Sequence, residues 1–260
     1  MPTAVASDQT PLNYRVIGDG PRNVLLVHGW MVSGAVYDDV VEKLDTTGLR
    51  VVIPDLRGTG SSGKPESGYT LEQHARDVLA VAKHAGLERF ALVGHSMGGQ
   101  VAQWIAAQEP GRVEALALLC SVPAAGMALP PDAVGLFRTS GGDRNKQKII
   151  LGLATKQLSP EALERLLNDS EKVAPKAVEA GFDAWTAGGF EARLSAIKAP
   201  TLVVATDDPF LPPAFLREKV IQHIRGSRLA YLPGPGHYPQ VERPVETAAV
   251  LSAFLAGLSH

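Results

Sequence analysis

The sequence predicts an α/β protein with a mostly parallel central sheet of about eight strands and helices on both faces, and three observations carry that prediction. Short β-prone runs alternate with helical patterns along most of the chain, the rhythm of right-handed βαβ crossovers. Most of those runs are too continuously apolar for a half-exposed sheet, as expected of parallel strands covered on both faces. One interval of about 80 residues has no good strand and reads as a helical insertion after the sixth strand.

Taken in order, the run around Val5 and residues 12–17 predict an opening strand pair joined through the polar stretch Ser7–Thr10. NVLLV (23–27), VVIP (51–54), FALVG (90–94), ALALLC (115–120), TLVVAT (201–206) and RLAYL (228–232) predict the strands that follow. Helices are expected near 35–46, 70–85, 97–109, 213–224 and 244–257. The second opens on Thr70 with Gln73 three residues on, the spacing of a capping box. Inside the insertion, helical patterns cover 146–158, 159–169 and 174–188. Ser159-Pro160-Glu161 sets serine at the N-cap and proline at the first helical position. The Gly/Pro-rich stretch 122–142 reads as the connection from the sheet. The domain reading is therefore a core of 1–121 and 200–260, with 122–199 a helical lid (cap) over the carboxyl edge of the sheet, where ligands bind in open α/β folds. A helical bundle that only enlarges the core is the competing reading.

Composition removes several function classes. The chain has 260 residues, 45% hydrophobic and 20% charged, enough to bury a sizeable core. Its single cysteine, Cys120, excludes an intramolecular disulfide and any multi-cysteine metal or cluster site. Twenty-five basic against 27 acidic residues, with no basic block, argue against nucleic acid or an anionic membrane as partner. No apolar run approaches the roughly 18 residues of a membrane span, and MPTAVASDQT lacks the basic-then-apolar plan of a secretory signal. The expectation is a cytoplasmic protein acting on a small-molecule substrate, its oligomeric state open, a homodimer included.

Gly94-His95-Ser96-Met97-Gly98 matches the Gly-x-Ser-x-Gly nucleophile elbow, and it sits between the strand FALV and the helical pattern MGGQVAQWIAAQ. Such a turn holds the Ser96 hydroxyl above the sheet at a helix N-terminus, whose dipole favours negative charge. A serine needs an adjacent base, and the seven histidines are 28, 74, 84, 95, 223, 237 and 260. His74 and His84 lie in a helical pattern and face solvent or pack locally. The His95 side chain diverges from Ser96, His28 belongs to a tight turn, and His260 ends the chain. His237, in the loop LPGPGHYPQVERP after the last strand, falls on the same sheet edge as Ser96 and is the expected base. Its acid partner is Asp207 or Asp208, directly after TLVVAT; the pattern does not separate them. The amides of Met97 and of Trp30, in His28-Gly29-Trp30-Met31, are the expected donors to an oxyanion. Trp30, His95, Phe137, Phe182, Trp185 and Tyr238 are the candidate substrate-pocket residues. Phe137, Phe182 and Trp185 belong with Phe190 to the insertion, where packing the lid onto the sheet competes as an explanation for the aromatics. Cys120 reads as a buried small hydrophobe.

Together these residues resemble the α/β-hydrolase superfamily over essentially the whole chain, through VLLVHGW, VVIPDLRGTGSSGKP, ALVGHSMGGQVAQ, PTLVVATDDPFLP and GPGHYPQVERPVE. The order Ser96…Asp208…His237 is that family's order. The acid of such hydrolases typically stands four residues before a proline, so the resemblance selects Asp208, with Pro212, over Asp207. It assigns Asp55, Arg57 and Gly58 to a structural loop, and Ala205 departs from the glycine that many relatives carry. A serine nucleophile argues against the dehalogenase and epoxide-hydrolase branches, which use aspartate. What the resemblance implies is a serine hydrolase of carboxylic esters or lactones with apolar or aromatic substrates, with no cofactor and no metal. It is most similar to the small carboxylesterase, perhydrolase and enol-lactonase branches. Carbon–carbon bond hydrolysis, cofactor-free haloperoxidase or oxygenase chemistry, and a ligand-binding protein of negligible turnover are the alternatives.

Overall fold

The computed structural model describes residues 1–257, so His260 lies outside the described residues. The chain opens with β1 (Thr3–Val5) and β2 (Pro11–Ile17), then β3 (Arg22–Val27), α1 (Asp38–Lys43), β4 (Leu49–Pro54), α2 (Leu71–His84), β5 (Phe90–His95), α3 (Met97–Gln108) and β6 (Val113–Leu119). Four helices follow before the sheet resumes: α4 (Pro131–Arg138), α5 (Arg144–Ala154), α6 (Pro160–Ser170) and α7 (Pro175–Ala187). The chain then returns through β7 (Thr201–Ala205), α8 (Pro213–Lys219), β8 (Arg228–Tyr231), α9 (Pro239–Glu242) and α10 (Pro244–Ala256).

The strands form one eight-stranded sheet in the order β1-β2-β4-β3-β5-β6-β7-β8. β1 and β2 pair antiparallel, β2 joins β4 antiparallel, and every pairing from β4 across to β8 is parallel. β5 is buried at all six positions and β6 at all but Glu114, as strands covered on both faces must be. β8, at the open edge, is the least buried of the parallel strands. This topology brings the carboxyl ends of β5, β6 and β7 side by side, so the segments that leave them share one edge.

Local signals set the helix starts. The Thr70 hydroxyl accepts from the Gln73 amide at 3.1 Å, and the Ser159 hydroxyl accepts from Ala162 at 3.1 Å. Three expectations need correction. The helix near 35–46 is a 3-10 turn, Gly34–Tyr37, running into the short α1. The helix near 213–224 stops at Lys219, because Val220 leaves helical geometry at φ −124° before a further turn at Ile221–His223. The stretch 122–142 is not only a connection, since it contains α4. Pro131 at its first position and Asp132 in its first turn were the available signals.

Buried polar groups tie the loops on the edge together. Arg57 is fully buried and pairs with Asp77 of α2 (Nε–Oδ2 2.5 Å, Nη2–Oδ1 2.8 Å) and with Asp8 (Nη1–Oδ2 2.8 Å). Asp55 accepts from the amides of Gly34 (2.9 Å) and Ser61 (2.8 Å), so the Asp55–Gly58 loop is structural, as the resemblance implied. No helix among the described residues is long and apolar enough to cross a membrane.

Candidate active site

Ser96 follows β5 and precedes α3 with φ 54° and ψ −122°, a left-handed backbone that a non-glycine residue adopts only under constraint. The constraint is close packing: a Cβ on Gly98 would come within 2.3 Å of the carbonyl oxygens of Val27 and His28. Only glycine lets α3 start against the end of β3. His237 Nε2 lies 2.9 Å from Ser96 Oγ, and His237 Nδ1 lies 2.6 Å from Asp208 Oδ2. Asp208 is 1% exposed, and its other oxygen accepts the Phe210 amide at 2.8 Å. A carboxylate accepts only, so His237 Nδ1 donates to it and Nε2 is left to accept the Ser96 hydroxyl proton.

The two aspartates that the sequence left unseparated have different work. Asp207 accepts from the Tyr231 hydroxyl and from the Gly234 amide (2.9 Å), and its own amide donates to Pro235 (3.0 Å). It fastens the loop that leads to His237 and does not face the imidazole.

Among the described residues the amides of Trp30 and Met97 donate to no protein acceptor. Met97 directly follows Ser96 in the chain, and Trp30 lines the same cavity as Ser96. The turn that presents Trp30 continues into Met31 at φ 64° and is held by the insertion. Trp30 Nε1 donates to the Val178 carbonyl of α7 at 2.8 Å, its ring stacks on Phe137 of α4 at 5.8 Å and 3°, and Ser170 of α6 donates to the Met31 carbonyl at 2.8 Å.

Beside Ser96 is a cavity of about 40 Å³, space for the centres of a few water molecules. Trp30, Phe137, Trp185 and Tyr238, expected there, line it. Val122, Met127, Ile150, Ala154, Phe210 and Leu211 complete the wall, outside the set of pocket residues the sequence pointed to. Ile150 and Ala154 share one face of the α5 pattern, the one signal that pointed to them. A wider groove, lined by Arg22, Thr201, Leu202 and Phe254, lies at the amino ends of the strands, away from Ser96.

Two expected pocket residues, His95 and Phe182, are elsewhere. His95 is fully buried and donates from Nε2 to the His237 carbonyl at 2.8 Å, so it buttresses the base loop. Burial, then the neighbouring His237, push it well below the usual histidine range and keep it neutral. Phe182 stands behind the wall, packed edge-on to Trp185 at 5.1 Å. Phe190 packs on Trp104 of α3 at 4.9 Å and seals the insertion to the core. His28 is also structural: its Nε2 accepts the Leu56 amide at 2.9 Å. His74 is buried and packs on Tyr69, five residues away, at 6.4 Å between ring centroids, the locally packed alternative, whereas His84 is exposed and meets the Tyr14 hydroxyl at 2.9 Å.

A family model described as alpha/beta hydrolase fold matches residues 22–244. The chain belongs to the α/β hydrolases. It is 30% identical over 255 residues to a non-heme haloperoxidase of Rhodococcus erythropolis, covering 91% of this chain and 93% of that one. It is 28% identical to a pimeloyl-[acyl-carrier protein] methyl ester esterase of Neisseria meningitidis, covering 92% and 96%. Among solved structures, the esterase EaEST of Exiguobacterium antarcticum superposes with a TM-score of 0.91 at 22% identity, covering 98% and 99%, a likeness of fold.

One cluster of this α/β hydrolase has metal-ligand character among the described residues: Cys120, Asp208 and His237, with donor atoms within 4.8 Å of one another. Asp208 and His237 already bond each other, and burial, then the Asp208 charge, push the Cys120 thiol well up. Those surroundings oppose the thiolate a metal needs.

Proposed function

We propose that this α/β hydrolase is a serine esterase or lactonase acting on small, apolar carboxylic esters through an acyl-enzyme. One observation carries the reading: the unbroken hydrogen-bond chain from Ser96 Oγ through His237 to Asp208. Ser96 Oγ attacks the carbonyl carbon while His237 Nε2 takes its proton. The carbonyl oxygen becomes an oxyanion held by the Trp30 and Met97 amides. Imidazolium His237, stabilised by Asp208, then protonates the leaving alkoxide, and the acyl group stays on Ser96. Water, deprotonated by His237, attacks the acyl carbon; the acid leaves and Ser96 regains its proton. The cavity wall carries no lysine, arginine, aspartate or glutamate, which favours an uncharged acyl group. Residues 122–199 act in this reading as a lid, since α4, α5 and α7 supply much of that wall. The name of the Neisseria relative agrees with ester chemistry.

Intact-mass measurement after exposure to a fluorophosphonate tests this reading. One adduct on the parent and none on Ser96→Ala are expected; a folded parent that takes no adduct would sink it.

The Rhodococcus likeness favours a second reading on the same intermediate. Hydrogen peroxide in place of water would attack the acyl-enzyme, releasing a peracid and restoring the Ser96 hydroxyl. Peracid release from an ester plus peroxide, lost in Ser96→Ala, is the result that would support it.

A further inference from the structure

Glu242, at the end of α9, takes no part in the chemistry above. It is 8% exposed and pairs with no lysine or arginine among the described residues. Its carboxylate instead accepts four backbone amides. Oε2 receives Lys156 (2.8 Å), Gln157 (2.8 Å) and Gly236 (2.9 Å), and Oε1 receives Tyr238 (3.1 Å). The last two residues flank His237. The first two form the turn that ends α5 of the insertion. A buried carboxylate is retained only where such donors replace its water.

Other contacts run across the same junction. The His237 amide donates to the Ala154 carbonyl at 2.8 Å, and Arg243 Nε donates to Gln157 Oε1. A Cβ on Gly236 would stand 2.3 Å from the Ala154 oxygen, so the two backbones are in direct contact. Ala154 and Ile150 of α5 are also cavity wall.

We propose that Glu242 is the positioning residue of the base: one carboxylate clamps the backbone on both sides of His237 to the α5 end of the insertion. The imidazole is then in register with Ser96 only while that end is docked. This rests on the serine-hydrolase reading. Binding of an acyl group against Ile150 and Ala154 is thereby coupled to the alignment of the group that must take the Ser96 proton.

Glu242→Gln tests the clamp, because its NH2 group would face amide donors where an oxygen now accepts. With a small p-nitrophenyl ester, kcat and the rate of fluorophosphonate modification are expected to fall about 10- to 100-fold, the effect of a catalytic group displaced by about 1 Å. KM should stay within about twofold, and the amides of Lys156, Gln157, Gly236 and Tyr238 should lose hydrogen-exchange protection together. A folded Glu242→Gln protein with parent rates, or a loss confined to KM, overturns the proposal. Should that variant not fold, exchange in the parent decides. The four amides are expected to share one protection level, and exchange of Lys156 and Gln157 more than about tenfold faster than Gly236 and Tyr238 overturns the clamp. A parent unreactive to fluorophosphonate overturns the hydrolase reading instead, whatever the exchange pattern.

Discussion

At Asp207 and Asp208, one covalent step along the chain turns a carboxylate from the loop to the imidazole. Asp208→Asn would keep the shape but offer His237 Nδ1 a weaker, neutral partner and favour the wrong tautomer. Turnover of a small ester is expected to fall about 10³- to 10⁴-fold with KM little changed. Asp207→Asn, whose bonds go to Tyr231 and Gly234, should lower turnover by less than about threefold. Steady-state kinetics on the two variants separate the roles, and equal losses would contradict the assignment. Gly98→Ala drives a methyl into two carbonyl oxygens at 2.3 Å. A loss of about 3 kcal/mol by urea unfolding is expected, at the upper end of overpacking effects.

Elements are joined by buried charge and buried neutral histidine. Asp77→Ala on α2 leaves Arg57, itself fully buried, with only the half-exposed Asp8, and is expected to cost about 3 kcal/mol. Asp8→Ala should cost under about 1 kcal/mol, since solvent reaches that side. Urea unfolding of both variants checks the order. His74, also on α2, is pushed down to about 3 by burial first and by Arg57 second. Its folded-state value lies below that of the unfolded chain, so between roughly pH 6.5 and 3 the unfolded state binds the extra proton. Stability is therefore lost as pH falls through that window, with a slope of about 1.4 kcal/mol per pH unit from this one group. Unfolding free energies measured from pH 7 to 4 should show a shallower slope in His74→Gln; an unchanged slope would contradict it. None of this was legible in the α2 pattern, which placed His74 on a helix without showing what packs over it.

For the whole molecule, α4, α5 and α7 line the space beside Ser96, where about 40 Å³ is left. Acetyl esters should therefore be hydrolysed with kcat/KM at least about tenfold above octanoyl esters, since each extra buried methylene needs space that is absent here. Ile150→Ala, which trims the α5 wall, should narrow that ratio; a p-nitrophenyl ester series of increasing chain length reads both. A profile rising to octanoate in the parent would mean that the insertion opens in solution.

The strand runs, the elbow at Ser96 and the base loop at His237 are legible in the sequence because each is local: periodicity, glycine spacing and position relative to a strand end suffice. The same holds for the capped starts of α2 and α6. α4 was hidden because its proline and glycine content reads as loop, and its helix is worth forming only once Phe137 stacks on Trp30. The choice of Asp208 rested on resemblance, and side-chain direction, a tertiary property, decided it. Contacts across long stretches of chain decided the rest. His95 lies behind the base and not in the pocket, Phe190 seals α3, and Glu242 accepts the amide of Lys156, 86 positions away in sequence. A sequence determines which groups are available at the edge of the sheet. Packing determines which way each one faces, because orientation there is set by neighbours that the chain brings together only when folded.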